Sequence, residues 1–389
     1  MNVKTLFTLI ASWLLVAACT TDEAGSTGDT GFDAPMPVLF SSGTTQNATV
    51  TRATTPYMQQ GGKFICRMYY QGHAESTDYT DYTQAWLQVN NTTGNCVFRK
   101  SSYAEPDSFD THGFDSDAPI FYWQNRKEHV FTALADYNKL NEKCQLKIST
   151  DTLPFCLKRT EAMKTIEDQQ DIIQAYTSMK PAGATPEANR VKLVFKHCFS
   201  KVQVNLKPAA DGGLDGTDSD GKARITADCI DSVELLGIAD SAYVFAVSTD
   251  TIPYEKGYKA PVAKTVVAND YPDVDATDNP YYTRIAMFKA DEASQSNYLT
   301  THNVITFGIL QAIRVTWHEP NNKEMVHVVT KKVENESGGD DIKTLKSGYQ
   351  HIFNMDLRRG TLALINAEIT EWKDGNQYAV NGTIQKNND

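Results

Sequence analysis

The sequence predicts an all-β protein folded as two tandem β-sandwich domains. Short segments of alternating apolar and polar residues recur between turn signals from Phe64 onward, as antiparallel sandwiches require. Before residue 190 only one stretch carries helical features. Residues 19–389 also exceed the roughly 250–300 residues that one hydrophobic core usually serves, so two domains are expected.

The chain opens on an address label. Lys4 supplies a positive region, Leu6 to Ala18 is an almost unbroken apolar run, and small residues lead into Cys19. That is the pattern of a secretory signal peptide, residues 1–18, and the run falls short of the about 20 apolar residues that a bilayer span needs. "VAAC" at 16–19 resembles a bacterial lipobox, in which the first mature cysteine is diacylated. Cys19 is therefore the expected lipidation site, and a membrane the expected anchor. Acyl chains contribute about 0.8 kcal/mol per buried methylene, so two or three hold a protein firmly.

Residues 19–52 read as a leader. "TTDEAGSTGDTGFDAP" at 20–35 is small, polar and turn-prone, a flexible tether, whereas "MPVLF" at 36–40 offers one isolated strand. A Ser/Thr-rich stretch then runs to Arg52.

The first domain is expected over residues 53–189. Its strands are "KFICRMYY", "QAWLQV", "NCVFRK", "IFYW" and "HVFTALADY". "RTEAMKTIEDQQDIIQAY" at 159–176 is the stretch with helical features, although its second half also fits an extended strand. The Pro/Gly/Ala-rich "KPAGATPEANR" at 180–190 marks the boundary. In the second domain, 190–389, "VKLVFKHCFSKVQVNL" begins with Val191, Leu193, Phe195 and Phe199 on one face. It continues with Val202, Val204 and Leu206 in the other phase, a slip that a bulge near Ser200-Lys201 explains. "SVELLGI", "SAYVFAV", "NVITFGIL", a hairpin of "AIRVTW" and "MVHVVT", "YQHIFNMDL" and "TLALINAEITEW" complete the series.

Composition and motifs argue against several functions. A net charge of −11 repels phosphate backbones, so nucleic acid is not an expected partner. GxSxG, HExxH and glycine-rich phosphate loops do not occur, which argues against an enzyme, and no cofactor is expected. The metal-like string "DGGLDGTDSDG" at 211–221 has Gly216 where the first aspartate of a calcium loop belongs and Ala227 at its twelfth position; it reads as a solvated acidic loop, and no metal is expected. Six cysteines beyond Cys19 permit disulfides, but their spacing matches no metal site and buried thiols fit a core of this size. His197 and His351 stand singly in strands, where packing is the default role. Trp86, Trp123, Trp317 and Trp372 suit core packing, or else a carbohydrate platform that would make the chain a non-polymerising binder of glycans or host ligands.

Taken in order, "VTRAT", "YWQNRKEHVFTAL" at 122–134, "DIIQAY" at 171–176, "VKLVFKHCFSKVQVNL", "LKSGYQHIFNMDL" at 345–357 and "ITEWKDG" at 369–375 resemble the fimbrillin-like proteins, type V pilins and related surface lipoproteins of Bacteroidales. Asp22-Glu23 after Cys19 resembles the surface-export signal of such lipoproteins. The resemblance implies transthyretin-like, Greek-key sandwiches and a surface-exposed fimbrial subunit or tip adhesin without catalysis. It implies cutting after Arg52, at the Arg52-Ala53 bond, loss of a strand within Met36 to Thr51, and filling of the vacated groove by a strand from another fimbrial subunit. Val38, Leu39, Phe40 and Val50 are the apolar residues expected to leave. The tail after Trp372 is either a donor strand or part of the second domain's own sheet.

Overall fold

The computed structural model describes residues 32, 34–42, 62–71, 81–90, 97–101, 114–116, 121–139, 152–157, 159–210, 214, 225–239, 241–245, 262–263, 283–290, 298–335, 339 and 341–372. Among these residues the protein is all-β, with helical turns only of the 3-10 type.

The strands of the first half are β1 (Phe40–Ser42), β2 (Lys63–Tyr70), β3 (Asp81–Asn90), β4 (Val97–Ser101), β5 (Phe114–Ser116), β6 (His129–Asp136), β7 (Thr152–Cys156), β8 (Ile172–Met179), β9 (Val191–Leu193) and β10 (Phe195–His197). Next come β11 (Ser200–Pro208), β12 (Ile230–Leu236), β13 (Ser241–Phe245), β14 (Val262–Ala263), β15 (Arg284–Ala286), β16 (Phe288–Lys289), β17 (Thr300–Thr306) and β18 (Gly308–Ile309). The series closes with β19 (Ala312–Glu319), β20 (Asn322–Lys332), β21 (Thr344–Leu345), β22 (Tyr349–Leu357) and β23 (Leu362–Glu371).

A seven-stranded sheet of order β10-β8-β6-β2-β3-β4-β5 organises the first half. Every residue of β6 is buried, as are the six central residues of β2, because both faces of the sheet are covered. One face packs against Met36, Val38, Phe40, Phe121, Trp123, Val191 and Leu193. The other carries Ile65, Tyr69, Trp86 and Leu134 against Phe199, Val244, Phe307 and Trp372 from later in the chain. Double coverage removes the solvent-facing phase, so these strands lose the alternation of a half-exposed strand.

The second half pairs a five-stranded sheet, β16-β17-β11-β22-β23, with a four-stranded sheet, β15-β12-β19-β20. Val202, Val204, Phe353 and Met355 from one meet Val233, Leu235, Ile313 and Trp317 from the other in a common core. Pairing is not purely antiparallel: β11 runs parallel to β22, and β1 parallel to β9. A chain that returns to a sheet from a distance can enter in either direction, unlike one that turns back through a hairpin.

The segment 191–208 bends as its two-phase pattern requires. β10 pairs with β8 of the first half, whereas β11 pairs with β17 and β22, so the chain changes partners across Cys198–Ser200. The halves are also joined by β7, which pairs antiparallel with β13.

Residues 159–176 do not form the helix that their composition favours. A 3-10 turn at Ile166–Asp168, held by the Asp168 carboxylate accepting the backbone N–H groups of Lys164 and Thr165, leads into β8. Ile172, Ile173, Gln174 and Ala175 are buried along β8, and pairing with β6 overrides local propensity. Of "IFYW", the described residues 121–123 give an isolated bridge at Tyr122.

The tryptophans are core residues. Trp86 and Trp317 are fully enclosed, and Trp123 and Trp372 are buried, so none of them forms the carbohydrate platform weighed above. Cys66, Cys198 and Cys229 are buried, and burial pushes the Cys66 thiol far above its ordinary pKa. Most of the acidic 211–221 loop lies outside the described residues.

Candidate functional site

Residues 36–42, ahead of Arg52 in the sequence, supply the site. Met36, Val38 and Phe40 alternate with Pro37 and Leu39, and the first three point into the core while Pro37 and Leu39 are half-buried. The inward set thus adds Met36 to Val38 and Phe40 and leaves Leu39 on the outer phase, as alternation requires; Val50 lies outside the described residues.

Two walls flank this ribbon. On one side Pro37 bridges Tyr122 antiparallel, with Val38 N–H donating to Phe121 O at 2.8 Å and Trp123 N–H donating to Met36 O at 2.9 Å. These bonds bracket the Pro37–Tyr122 pair, which is therefore a position where neither residue's N–H is needed, and proline costs nothing there. On the other side β1 runs parallel to β9 in the register Phe40 to Val191, and Val191 N–H donates to Leu39 O at 2.8 Å.

Side chains complete the slot. The Phe40 ring meets Phe121 and Phe131 edge-on, each at a centroid distance of 5.6 Å. Asn189 is fully buried: its Oδ1 accepts the N–H groups of Ala182 and Gly183, while its Nδ2 donates to Gly183 O, Thr185 O and Met36 Sδ. A Cβ on Gly183 would sit 2.4 Å from Ala188 Cβ, so glycine is required in this loop. Arg190 donates from a guanidinium N–H to Phe40 O at 3.3 Å, and the Arg126 guanidinium lies 4.5 Å over the Phe32 ring.

His129 shapes the far wall. Its Nε2 accepts the Gln124 N–H at 3.1 Å and its Nδ1 donates to Lys127 O at 2.9 Å, an arrangement that fits a neutral ring. Burial lowers its pKa to about 4, opposed only in part by the Lys127 carbonyl. The ring stands edge-on to Trp123 at 4.9 Å.

Burying three such side chains stabilises by about 4–9 kcal/mol, an upper estimate because unfolded chains are themselves partly compact. Without the ribbon, Phe121, Phe131, Val191 and Leu193 would line an apolar trough with backbone groups on both rims, the arrangement that accepts an added strand. Cys19, Arg52 and Ala53 lie outside the described residues. Sequence reasoning missed Met36, Tyr122, Asn189 and Arg190. Asn189 and Arg190 sat in a stretch that reads as a linker, and no local signal marked them; the alternation Met36-Val38-Phe40 could have found Met36.

Comparison with known proteins gives consistent relatives. Similar structures include a candidate cell adhesion protein of Bacteroides uniformis, 12% identical, TM-score 0.49, covering 87% of this chain and 99% of that one. The tip fimbrial protein Mfa3 of Porphyromonas gingivalis, with a C-terminal truncation, is 8% identical at a TM-score of 0.36 and covers 81% and 95%. A fimbrial protein of Bacteroides vulgatus is 11% identical at 0.38, covering 81% and 94%. Comparison with curated proteins found no match. The family described as fimbrillin-like matches residues 51–372, which is most of the sequence, and the chain belongs to that family.

Proposed function

We propose that this protein is a structural subunit or accessory adhesin of cell-surface fimbriae, exported as a lipoprotein through Cys19 and matured by cutting between Arg52 and Ala53. Family membership supports the fimbrial or adhesive role. The observation that carries the maturation step is the ribbon Met36–Ser42, which fills an apolar trough yet belongs to a leader ahead of Arg52. Cutting after Arg52 severs the ribbon from the body, and a strand from another fimbrial subunit takes its place. Alternate side chains of that strand fill the pockets left by Met36, Val38 and Phe40, while its backbone pairs with 121–123 and β9. Surface location at the outer membrane and in the fimbrium follows from the same reading. A glycan-binding role through Trp86 or Trp317 finds no support, since both are enclosed.

The test is limited trypsin treatment of the purified protein, followed by an unboiled denaturing gel and amino-terminal sequencing. A ladder of bands whose subunits begin at Ala53 is expected. A single trimmed band at every concentration contradicts the proposal.

A further inference from the structure

β20 is an edge strand, and its outer side is uncovered among the described residues. It lies at the end of the four-stranded sheet and pairs in that sheet with β19 alone. Its first half is open on both faces: Met325 and Val326 are each 53% exposed and Val328 is 51% exposed. Long apolar edges invite another strand, and folded proteins usually blunt them with charge or a bulge. Here Glu324 stands near one end of the apolar run, and Lys331 and Lys332 stand near the other.

We propose that β20 is a docking edge for a second copy of this chain, paired antiparallel about a two-fold axis at Val328. Charge complementarity of the strand with itself points to the occupant and favours this register over its two neighbours. In an antiparallel ladder facing residues direct their backbone groups to the same seam, so a strand pairing with its own copy centres on a residue and shifts only in whole-residue steps of that centre. Centred on Val328, Glu324 faces Lys332 of the other copy twice over, Val326 faces Thr330, and the stem of Lys331 covers Met325. Centred on His327, Lys323 would face Lys331; centred on Val329, Glu324 would face Glu334. Both neighbours place like charges opposite each other, which is unfavourable. Val326, Val328 and Thr330 share one face of β20, with Glu324 and Lys332 at its ends, so apolar contact and ion pairs form on the same side.

This contact is lateral and involves neither the leader nor Arg52, so it forms with the uncut chain and stands or falls apart from strand exchange. The net charge of −11 on each copy opposes approach at low salt, so the dimer is expected at physiological ionic strength, where the Debye length is about 8 Å.

The test is sedimentation equilibrium of the uncut protein, together with cysteine cross-linking. A reversible dimer is expected, weakened about tenfold by Glu324→Lys and restored when Lys332→Glu is added to it. Val328→Cys should cross-link copy to copy, because the two-fold axis brings that residue opposite itself, whereas Lys323→Cys should not. A monomer at all concentrations, a dimer indifferent to Val328→Lys, or cross-linking from position 323 in preference to 328 would overturn the proposal. Far-ultraviolet circular dichroism of each variant shows that loss of the dimer is not loss of fold.

Discussion

The imidazole of His197 lies flat on the indole of Trp372, ring centroids 3.9 Å apart and 8° from parallel, while its Nδ1 meets the Asp171 carboxylate at 2.8 Å. The contact ties β10 of the first half to the residue that follows β23, where Trp372 N–H also donates to Gly348 O. His197 and Asp171 are almost wholly buried. Removing the ring takes a hydrogen-bond partner from the buried Asp171 carboxylate, so His197→Ala should destabilise the protein by about 1–3 kcal/mol. Urea unfolding measures this, and the double variant with Asp171→Asn should lose less than the sum of the single changes.

Gly348 enables that junction. Its φ of 77° lies in the left-handed region, and an added Cβ would lie 3.6 Å from His197 O, so the obstacle is conformational rather than steric. Gly348→Val should cost about 1–3 kcal/mol. A shift of the urea midpoint checks it, and Gly360→Ala, where a Cβ meets nothing, provides the control.

Acid stability should be set by buried histidines. Burial lowers the pKa of His129 to about 4, of His351 to about 4 and of His302 to about 3, the last helped by the positive charges of Lys289 and Arg159. A folded pKa below the unfolded value of 6.5 means that the unfolded chain binds more protons in between. Stability is therefore full above pH 6.5 and falls as pH drops towards 3–4. Thermal midpoints measured from pH 7 to 4 should decline by more than those of a His129→Gln variant.

Asp136 works in the opposite sense. Burial raises its pKa to about 7, with the nearby Asp171 charge contributing in the same direction. The folded state then holds the proton longer than the unfolded one, so this group's contribution is lost as pH rises from 3.8 to 7. Asp136→Asn keeps an oxygen that accepts the Asp171 N–H and should stabilise the protein at pH 8 by about 2–4 kcal/mol, with little effect at pH 4. Chemical denaturation at the two pH values distinguishes these outcomes.

Strand identity was legible from alternation in β19 and β22, and from β-branched and aromatic residues between turn signals in β2 and β6. It was ambiguous at 159–176, where acidic and amide residues favour a helix while the second half also fits a strand; burial of Ile172 and Ile173 beside β6 decides for the strand there. Partners were not legible: the pairing of β7 with β13 joins residues far apart in sequence, and no local pattern encodes it. For the candidate site, an isolated strand ahead of Arg52 could be read, but its inward phase depended on Phe121, Phe131 and Val191, which belong to other elements.

Leader phase gives a further expected outcome. Phe40→Ala should destabilise by about 3–5 kcal/mol, because a buried aromatic leaves a cavity, whereas Leu39→Ala should cost clearly less. Equal losses at the two positions would contradict the alternation seen here.

The most direct test of the central claim uses the Pro37–Tyr122 bridge as a lock. Non-hydrogen-bonded antiparallel pairs bring Cα atoms to about 4.5 Å, within disulfide range, so Pro37→Cys with Tyr122→Cys should tether the ribbon to the body. Trypsin treatment of the oxidised variant should give cut but unassembled protein, and reduction should release the ribbon and produce the ladder on an unboiled gel. The same ladder from oxidised and reduced protein would show that the trough is not the place where subunits join.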